Sequence, residues 1–248
     1  MAVSVDTVYQ RVLALANKEQ RGYITPQEFN LIANQAQLQI FEGYFNDINQ
    51  FLRNPGNNSA TADSLDYVED KISIFQEVDV PLNILSGAKI LLPINNLVGY
   101  PGTVKDIYKL EEVRHNNNAC AQVTQQKLNY MRKGVFAAQP TVEHPVYIRT
   151  NNALLVYHLN AAGGFVPLIN NITCDYVRKP ITSHWDYVVV NGKALYNANG
   201  STDFELHPSE ESALVYKILE LSGVVINKPG LSSYAKTEHV ETENKRKI

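Results

Sequence analysis

Apolar residues recur at three- and four-residue steps from Ile24 to Pro55, ITPQEFNLIANQAQLQIFEGYFNDINQFLRNP. Phe29, Ile32, Ala36, Ile40, Tyr44, Ile48 and Phe51 form one stripe there, which Ala33, Phe41, Phe45 and Leu52 widen. This spacing predicts an amphipathic helix of roughly 40 Å. Its start is marked by Thr25 as N-cap, Pro26 at the first helical position and Glu28 as the return partner of a capping box. Asn54-Pro55-Gly56 marks its end, because proline disfavours helical backbone in the residue before it. The polar face carries Asn30, Asn34, Gln35, Gln37, Gln39, Asn46, Asn49 and Gln50 in place of the Glu/Lys mixture of a solvated surface. Amides lose less than charges do on leaving water. The face therefore suits either solvent or a neighbouring subunit packed opposite the core.

Val5, Val8, Tyr9, Val12, Leu15 and Ala16 predict a first helix over 3–20, capped by Ser4 or Asp6. The short Arg21-Gly22-Tyr23 connection makes it the antiparallel partner of the long helix. A third helix, over 209–222, turns Ala213, Leu214, Ile218 and Leu221 to a core. It has Glu210 and Glu211 at its positive end and Gly223 as C′ residue, and it folds back on the first two. Residues 54–64 read as a polar loop. From Leu65 the pattern changes to short apolar segments bounded by Pro, Gly and Asn, at 72–75, 78–80, 88–93, 104–114, 145–149, 153–159 and 172–178, with a helix over 122–131. Tyr187–Val190 and Lys193–Tyr196 flank Asn191-Gly192, the strongest hairpin signal in the chain, since both central residues of a type I′ turn need positive φ.

These elements define an α+β fold: an N-terminal helical hairpin and a C-terminal helix in a small bundle, with a mostly antiparallel β-rich middle and an extended C-terminal arm. Residues 1–56 and 205–226 form the helical core. Residues 65–204 form a β-rich module of about six to eight short strands with one inserted helix. Residues 227–248 are too polar to fold alone.

Composition narrows the function classes. A net charge of −3 gives no electrostatic reason for nucleic-acid or membrane-surface binding. No run approaches the ~20 apolar residues of a membrane span, and the N-terminus lacks a basic-then-apolar leader, which predicts a soluble protein made in a reducing cytoplasm. Cys120 and Cys174 fit no disulfide framework or metal spacing and read as buried thiols. His115, His144, His158, His184, His207 and His239 are scattered, and no P-loop, G-x-G-x-x-G or G-x-S-x-G occurs. Gly163-Gly164 reads as a turn, and Glu111-Glu112 and Glu210-Glu211 as solvated or helix-capping pairs. Trp185, beside His184 and Tyr187, is either a sugar-stacking platform or packing at a strand start. Fourteen tyrosines against two methionines suit contact surfaces. No catalytic, cofactor or metal residue is assigned, and the reading is non-enzymatic.

The stretches VDTVYQRVLALANKEQRGYITPQEFNLIANQAQLQIFEGYFNDINQF and ELHPSEESALVYKILELSGVVINKP resemble virion structural proteins of tailed bacteriophages of marine and gut origin. In particular they resemble the ring protein 1 family of head-to-tail adaptors in crAss-like phages. The resemblance covers residues 3–53 and 205–229 and is weak through the β-rich middle. It implies a helical core, a β-rich elaboration reaching toward the next tail ring, and a C-terminal extension that docks on the portal, in a ring of twelve copies around the DNA channel. On that basis Leu231, Tyr234, Val240 and Ile248 are the apolar anchors of the arm. Phe29, Ile32, Ala36, Ile40, Tyr44, Ile48, Phe51, Leu214 and Ile218 serve core and subunit packing. The ring would enclose genomic DNA without specific binding. The alternatives are a β-rich carbohydrate- or receptor-binding tail protein, or a minor capsid or tail-tube component.

Overall fold

A computed structural model of the chain describes residues 2–18, 24–53, 59–85, 89–93, 106–132, 139–160 and 164–225, with positions 236, 237 and 240. Three helices come first: α1 (Val5–Lys18), α2 (Pro26–Arg53) and α3 (Ser59–Ser73). Strands β1 (Gln76–Pro81), β2 (Ile84–Leu85), β3 (Lys89–Leu91), β4 (Ile107–His115), β5 (Asn118–Ala119) and β6 (Ala121–Gln122) precede helix α4 (Gln125–Arg132). Then come β7 (Val146–Thr150), β8 (Ala153–Leu159), β9 (Phe165–Pro167), β10 (Ile172–Arg178), β11 (Tyr187–Val190) and β12 (Lys193–Tyr196). A 3-10 turn, Pro208–Glu210, leads into α5 (Glu211–Val225). The α+β class expected from the sequence is what the chain adopts.

The chain divides into two compact units, residues 1–74 with 180–248 and residues 75–179. The boundaries differ from the expected 65–204 module. Helix α3 and the β11–β12 hairpin belong with the helices.

In the first unit the capping box forms as its residue types dictate. Glu28 N–H donates to Thr25 Oγ1 at 3.3 Å, and Thr25 N–H to Glu28 Oε2 at 2.9 Å. The Thr25 amide and hydroxyl hold the exposed Glu28 carboxyl below its ordinary value. The cap's support is therefore present above the unfolded carboxylate pKa and fades as pH falls through the folded one. Phe29, Ile32, Ala36, Ile40 and Tyr44 are buried and Ile48 half-buried, while the Phe51 side chain lies outside the described residues. Helix α5 packs on both α1 and α2, with Leu214 and Ile218 fully buried, and Tyr9 of α1 meets Phe29 of α2 at 4.7 Å between ring centroids. Helix α1 is capped locally by Ser4, as expected, and also from afar: Thr7 N–H donates to Ser4 Oγ at 3.4 Å and Val5 N–H to Asp203 Oδ1 at 2.9 Å.

Three local expectations are corrected here. Residues 59–64 of the expected polar loop are helical, because Ala60 and Ala62 favour helix and the Val68–Ile72 pair, buried one turn apart, anchors the segment downstream. The same helix takes in Ile72 and Ser73, so 72–75 is not a strand. Gly223 does not end α5, which runs on to Val225 with Gly223 buried inside it.

The second unit has two sheets. One orders its strands β1-β10-β4-β5, all antiparallel. The other orders them β2-β3-β8-β7-β6, with β9 on β8, and only β6–β7 is parallel among its described pairs. Val113, Ile172, Cys174 and Tyr176 from the first and Ile90, Tyr147, Leu154 and Val156 from the second share one core, as the period of two in a strand requires. Val146 and Ile148, on the opposite face of β7 from Tyr147, pack with Val123 and Leu128 of the α4 region. The strands outnumber those expected because β2, β5 and β6 are two residues long and β9 three, too short to show a period. Strand β1 bulges at Asp79 (φ 54°), whose N–H donates to Asp175 Oδ1 at 2.9 Å. Arg114 ties this bulge down through Asp175, Asp79 at 3.2 Å and Glu112 at 3.3 Å.

The sequence also misplaces Glu210. Expected to be solvated or capping, it is 1% exposed and pairs with Lys71 Nζ of α3 at 2.7 Å. That ammonium lies 4.1 Å from the Tyr67 ring centroid and 5.6 Å from that of Tyr44. Lys71→Met leaves a buried carboxylate without its cation and is expected to cost about 3–5 kcal/mol. Adding Glu210→Gln should recover at least half of the loss. Urea unfolding of the two variants tests this, and a single-variant cost under about 1 kcal/mol would show that the pair is not holding α3 to the α5 turn.

Candidate assembly surface

The Asn/Gln face of α2 is where the first unit is held together. Asn30 Nδ2 donates to the Trp185 carbonyl at 3.1 Å, and Trp185 N–H donates back to Asn30 Oδ1 at 2.8 Å. One turn on, Asn34 does the same with Ser183: Nδ2 to the carbonyl at 2.9 Å, and the Ser183 N–H and hydroxyl to Oδ1 at 2.8 and 3.1 Å. Gln37 Nε2 then reaches the Ile181 carbonyl at 2.8 Å, while Ile181 N–H is taken by Glu205 Oε2 at 2.8 Å. Helix positions 30, 34 and 37 thus meet chain positions 185, 183 and 181. The steps are comparable: four and three helical residues rise about 6 and 4.5 Å, against the ~6.6 Å of two extended residues. The amides act as a strand edge laid along a helix. A face that suited solvent or a second subunit is, at these three positions, filled by the chain's own 181–185 segment. Gln35, Asn46 and Asn49 remain exposed.

The ladder delivers Trp185 into the core. Its ring is 2% exposed, its indole N–H donates to Asp6 Oδ1 at 3.0 Å, and Tyr9 packs on it at 4.3 Å. Asp6, expected as a helix cap, serves the indole instead. Tyr187 and Tyr196 stack on the same ring at 5.7 and 5.9 Å with interplanar angles of 23° and 29°. These two tyrosines are the first cross-strand pair of the β11–β12 hairpin. The hairpin base is closed by Asp186 and Asn197: Asn197 N–H donates to the Asp186 carbonyl at 3.0 Å, and its Nδ2 to Asp186 Oδ2 at 2.6 Å. Asp186 N–H donates to Ser201 Oγ at 2.9 Å. Gly200 is required there, since a Cβ on it would stand 2.1 Å from Asp186 Oδ2. At the other end Asn191 (φ 52°) and Gly192 (φ 75°) make the turn the dipeptide predicts. The result is a short hairpin rooted in the helical unit, carrying Val188, Val189, Val190 and Leu195 in exposed positions.

Other sequence-derived candidates fall elsewhere. Trp185 offers no open face to a sugar. Among the arm residues Leu231, Tyr234 and Ile248 lie outside the described residues; Val240 is described and 45% exposed. The chain's own core buries Leu214, Ile218 and most of the α2 stripe. Cys120 and Cys174 are buried free thiols, pushed up to about 11 and about 12 by burial. No group of three or more His, Cys, Asp or Glu among the described residues is arranged to hold a metal. In the second unit a cleft of about 840 Å³ is lined by aliphatic and amide groups, including Ile84, Ile169, Asn116, Asn117 and Asn171, with no ionisable side chain in its wall. No helix among the described residues is long and apolar enough to cross a membrane.

A scan of known protein-family models finds no match to the chain, and no curated protein matches its sequence significantly.

Removing the middle rung is the direct test of the ladder. Asn34→Ala strands the buried Ser183 N–H and carbonyl and is expected to lower the unfolding free energy by about 2–3 kcal/mol. Gln35→Ala, one residue on and exposed, should change it by less than about 0.5 kcal/mol. Trp185 is the sole tryptophan, so its fluorescence in urea reads this unit alone. Equal effects from the two substitutions would remove the ladder from its structural role.

Proposed function

We propose that this chain is a non-enzymatic virion structural protein. It is a head-to-tail connector adaptor that closes into a ring around the DNA channel, with the portal on one side and the next tail ring on the other. The observation that carries this reading is the coherence of the resembling stretches. Residues 3–53 and 205–229, widely separated in sequence, supply α1, α2 and α5 to one packed unit. Twelve copies per ring follow from the resemblance. A net charge of −3 suits a channel that encloses DNA without gripping phosphates. In this reading the arm orders on the portal through Leu231, Tyr234, Val240 and Ile248, burying apolar surface against the entropy of ordering. The carbohydrate-binding alternative depended on an open aromatic platform at Trp185, and that ring is closed in the core.

Counting copies of the chain per purified particle, by quantitative mass spectrometry against the major capsid protein, tests the proposal. About a dozen copies are expected from the symmetry of such rings. Hundreds would assign a capsid or tube role, a handful a tail tip, and none would remove the protein from the virion. Deletion of 229–248 should leave a folded protein that no longer enters particles; normal incorporation would remove the docking role of the arm.

A further inference from the structure

The β11–β12 hairpin has two properties that solvated hairpins of monomers avoid. The first is apolar exposure at its tip. Val188 is 54% exposed, Val189 62%, Val190 46% and Leu195 52%. The register places Val188, Val190 and Leu195 on one face, with Lys193 the sole charge, and Val189 on the other face beyond the stacked tyrosines. The second is its edges. The hairpin is a two-stranded sheet by itself, and no further strand pairs with β11 or β12 among the described residues. Neither edge carries a proline or bulge of the kind with which natural edge strands block pairing, and Lys193 at the turn end of β12 is the one charge in the two strands. A two-stranded hairpin in water is marginally stable alone. Here the Asp186–Asn197 base and the Trp185 stack keep it formed and outward.

We propose that the hairpin is the site at which a second copy of this chain docks, β11 of one copy adding antiparallel to β12 of the next. The contact is built on the ring reading above, because it repeats. β11 and β12 run in opposite directions, so each copy offers one edge to its predecessor and the complementary edge to its successor. That is a heterologous contact, the kind that closes into rings. A two-fold dimer would use one edge and leave the other bare. Four exposed apolar side chains on a two-stranded hairpin fall well short of the ~800 Å² that one partner contributes to a standard stable interface. One such contact is therefore weak and concentration-dependent, whereas in a closed ring every copy makes it twice.

Single-cysteine pairing on the full-length protein tests this, since the two native thiols are buried with raised pKa values and do not compete at neutral pH. Val188→Cys, Val189→Cys and Val190→Cys are each mixed with Leu195→Cys under mild oxidation. A mixed disulfide in at least one pairing is expected. Disulfides only between two β11 cysteines would mean two-fold pairing and overturn the head-to-tail contact. In parallel, light scattering should give wild-type masses at least twice the 27.8 kDa of one chain, rising with concentration, and Val188→Lys with Val190→Lys should return the protein to 27.8 kDa. Leu31→Lys, at a 76% exposed position on α2, should leave association unchanged. An oligomer that survives the double lysine variant overturns the hairpin contact and leaves the connector reading standing. So does a wild type that is monomeric throughout while particles still contain a dozen copies. Mixed disulfides in a protein absent from particles would keep the contact and sink the connector.

Discussion

The amide ladder between α2 and residues 181–185 is the contact on which the rest of the helical unit depends. Three side chains, Asn30, Asn34 and Gln37, satisfy backbone groups that would otherwise be buried without partners. The same contact positions Trp185, and Trp185 positions Tyr9, Tyr187 and Tyr196 around it. The three amide side chains are neutral, and a carboxylate enters the joint at the Ile181 N–H, from Glu205. The one buried ion pair described in this unit, Lys71–Glu210, lies elsewhere and fastens α3 to the turn that starts α5.

The proposed assembly contact follows from what this frame leaves uncovered. The helices turn their apolar stripes inward, and α5 seals α1 and α2. Leu31 and Leu38 of α2 stay exposed singly, whereas the hairpin tip, held at its base by Asp186 and Asn197, gathers four exposed apolar residues. The proposed docking of a second copy rests on this pairing of a fixed base with exposed apolar residues.

Local signals were legible in the sequence where the chemistry is local. Thr25-Pro26 with Glu28 marked the start of α2, and Asn191-Gly192 the hairpin turn, because each is set by residues within four positions of one another. The α2 stripe was legible because its period is that of the helix. Long-range pairings left no such trace. Asn34 and Ser183 are 149 residues apart, and nothing in either neighbourhood names the other. Glu210 looked like a helix-dipole acid because its partner, Lys71, comes from a helix whose first residues resemble a loop. The amide-rich face was correctly read as unusual. Its occupant was not, since an uncharged face announces a partner without saying whether that partner is the chain itself.

The β-rich unit begins and ends on paired strands. Gln76 opposes Val177, and Arg178 N–H donates to the Phe75 carbonyl at 2.9 Å, so the segment's entrance and exit are bonded to each other. A segment closed in this way is an insertion with a shared neck. Its replacement by another closed segment, or by a short turn, leaves the two ends of the helical chain the same distance apart. The spacing at which the chain enters and leaves the insert is thereby fixed by the neck and not by the insert's interior.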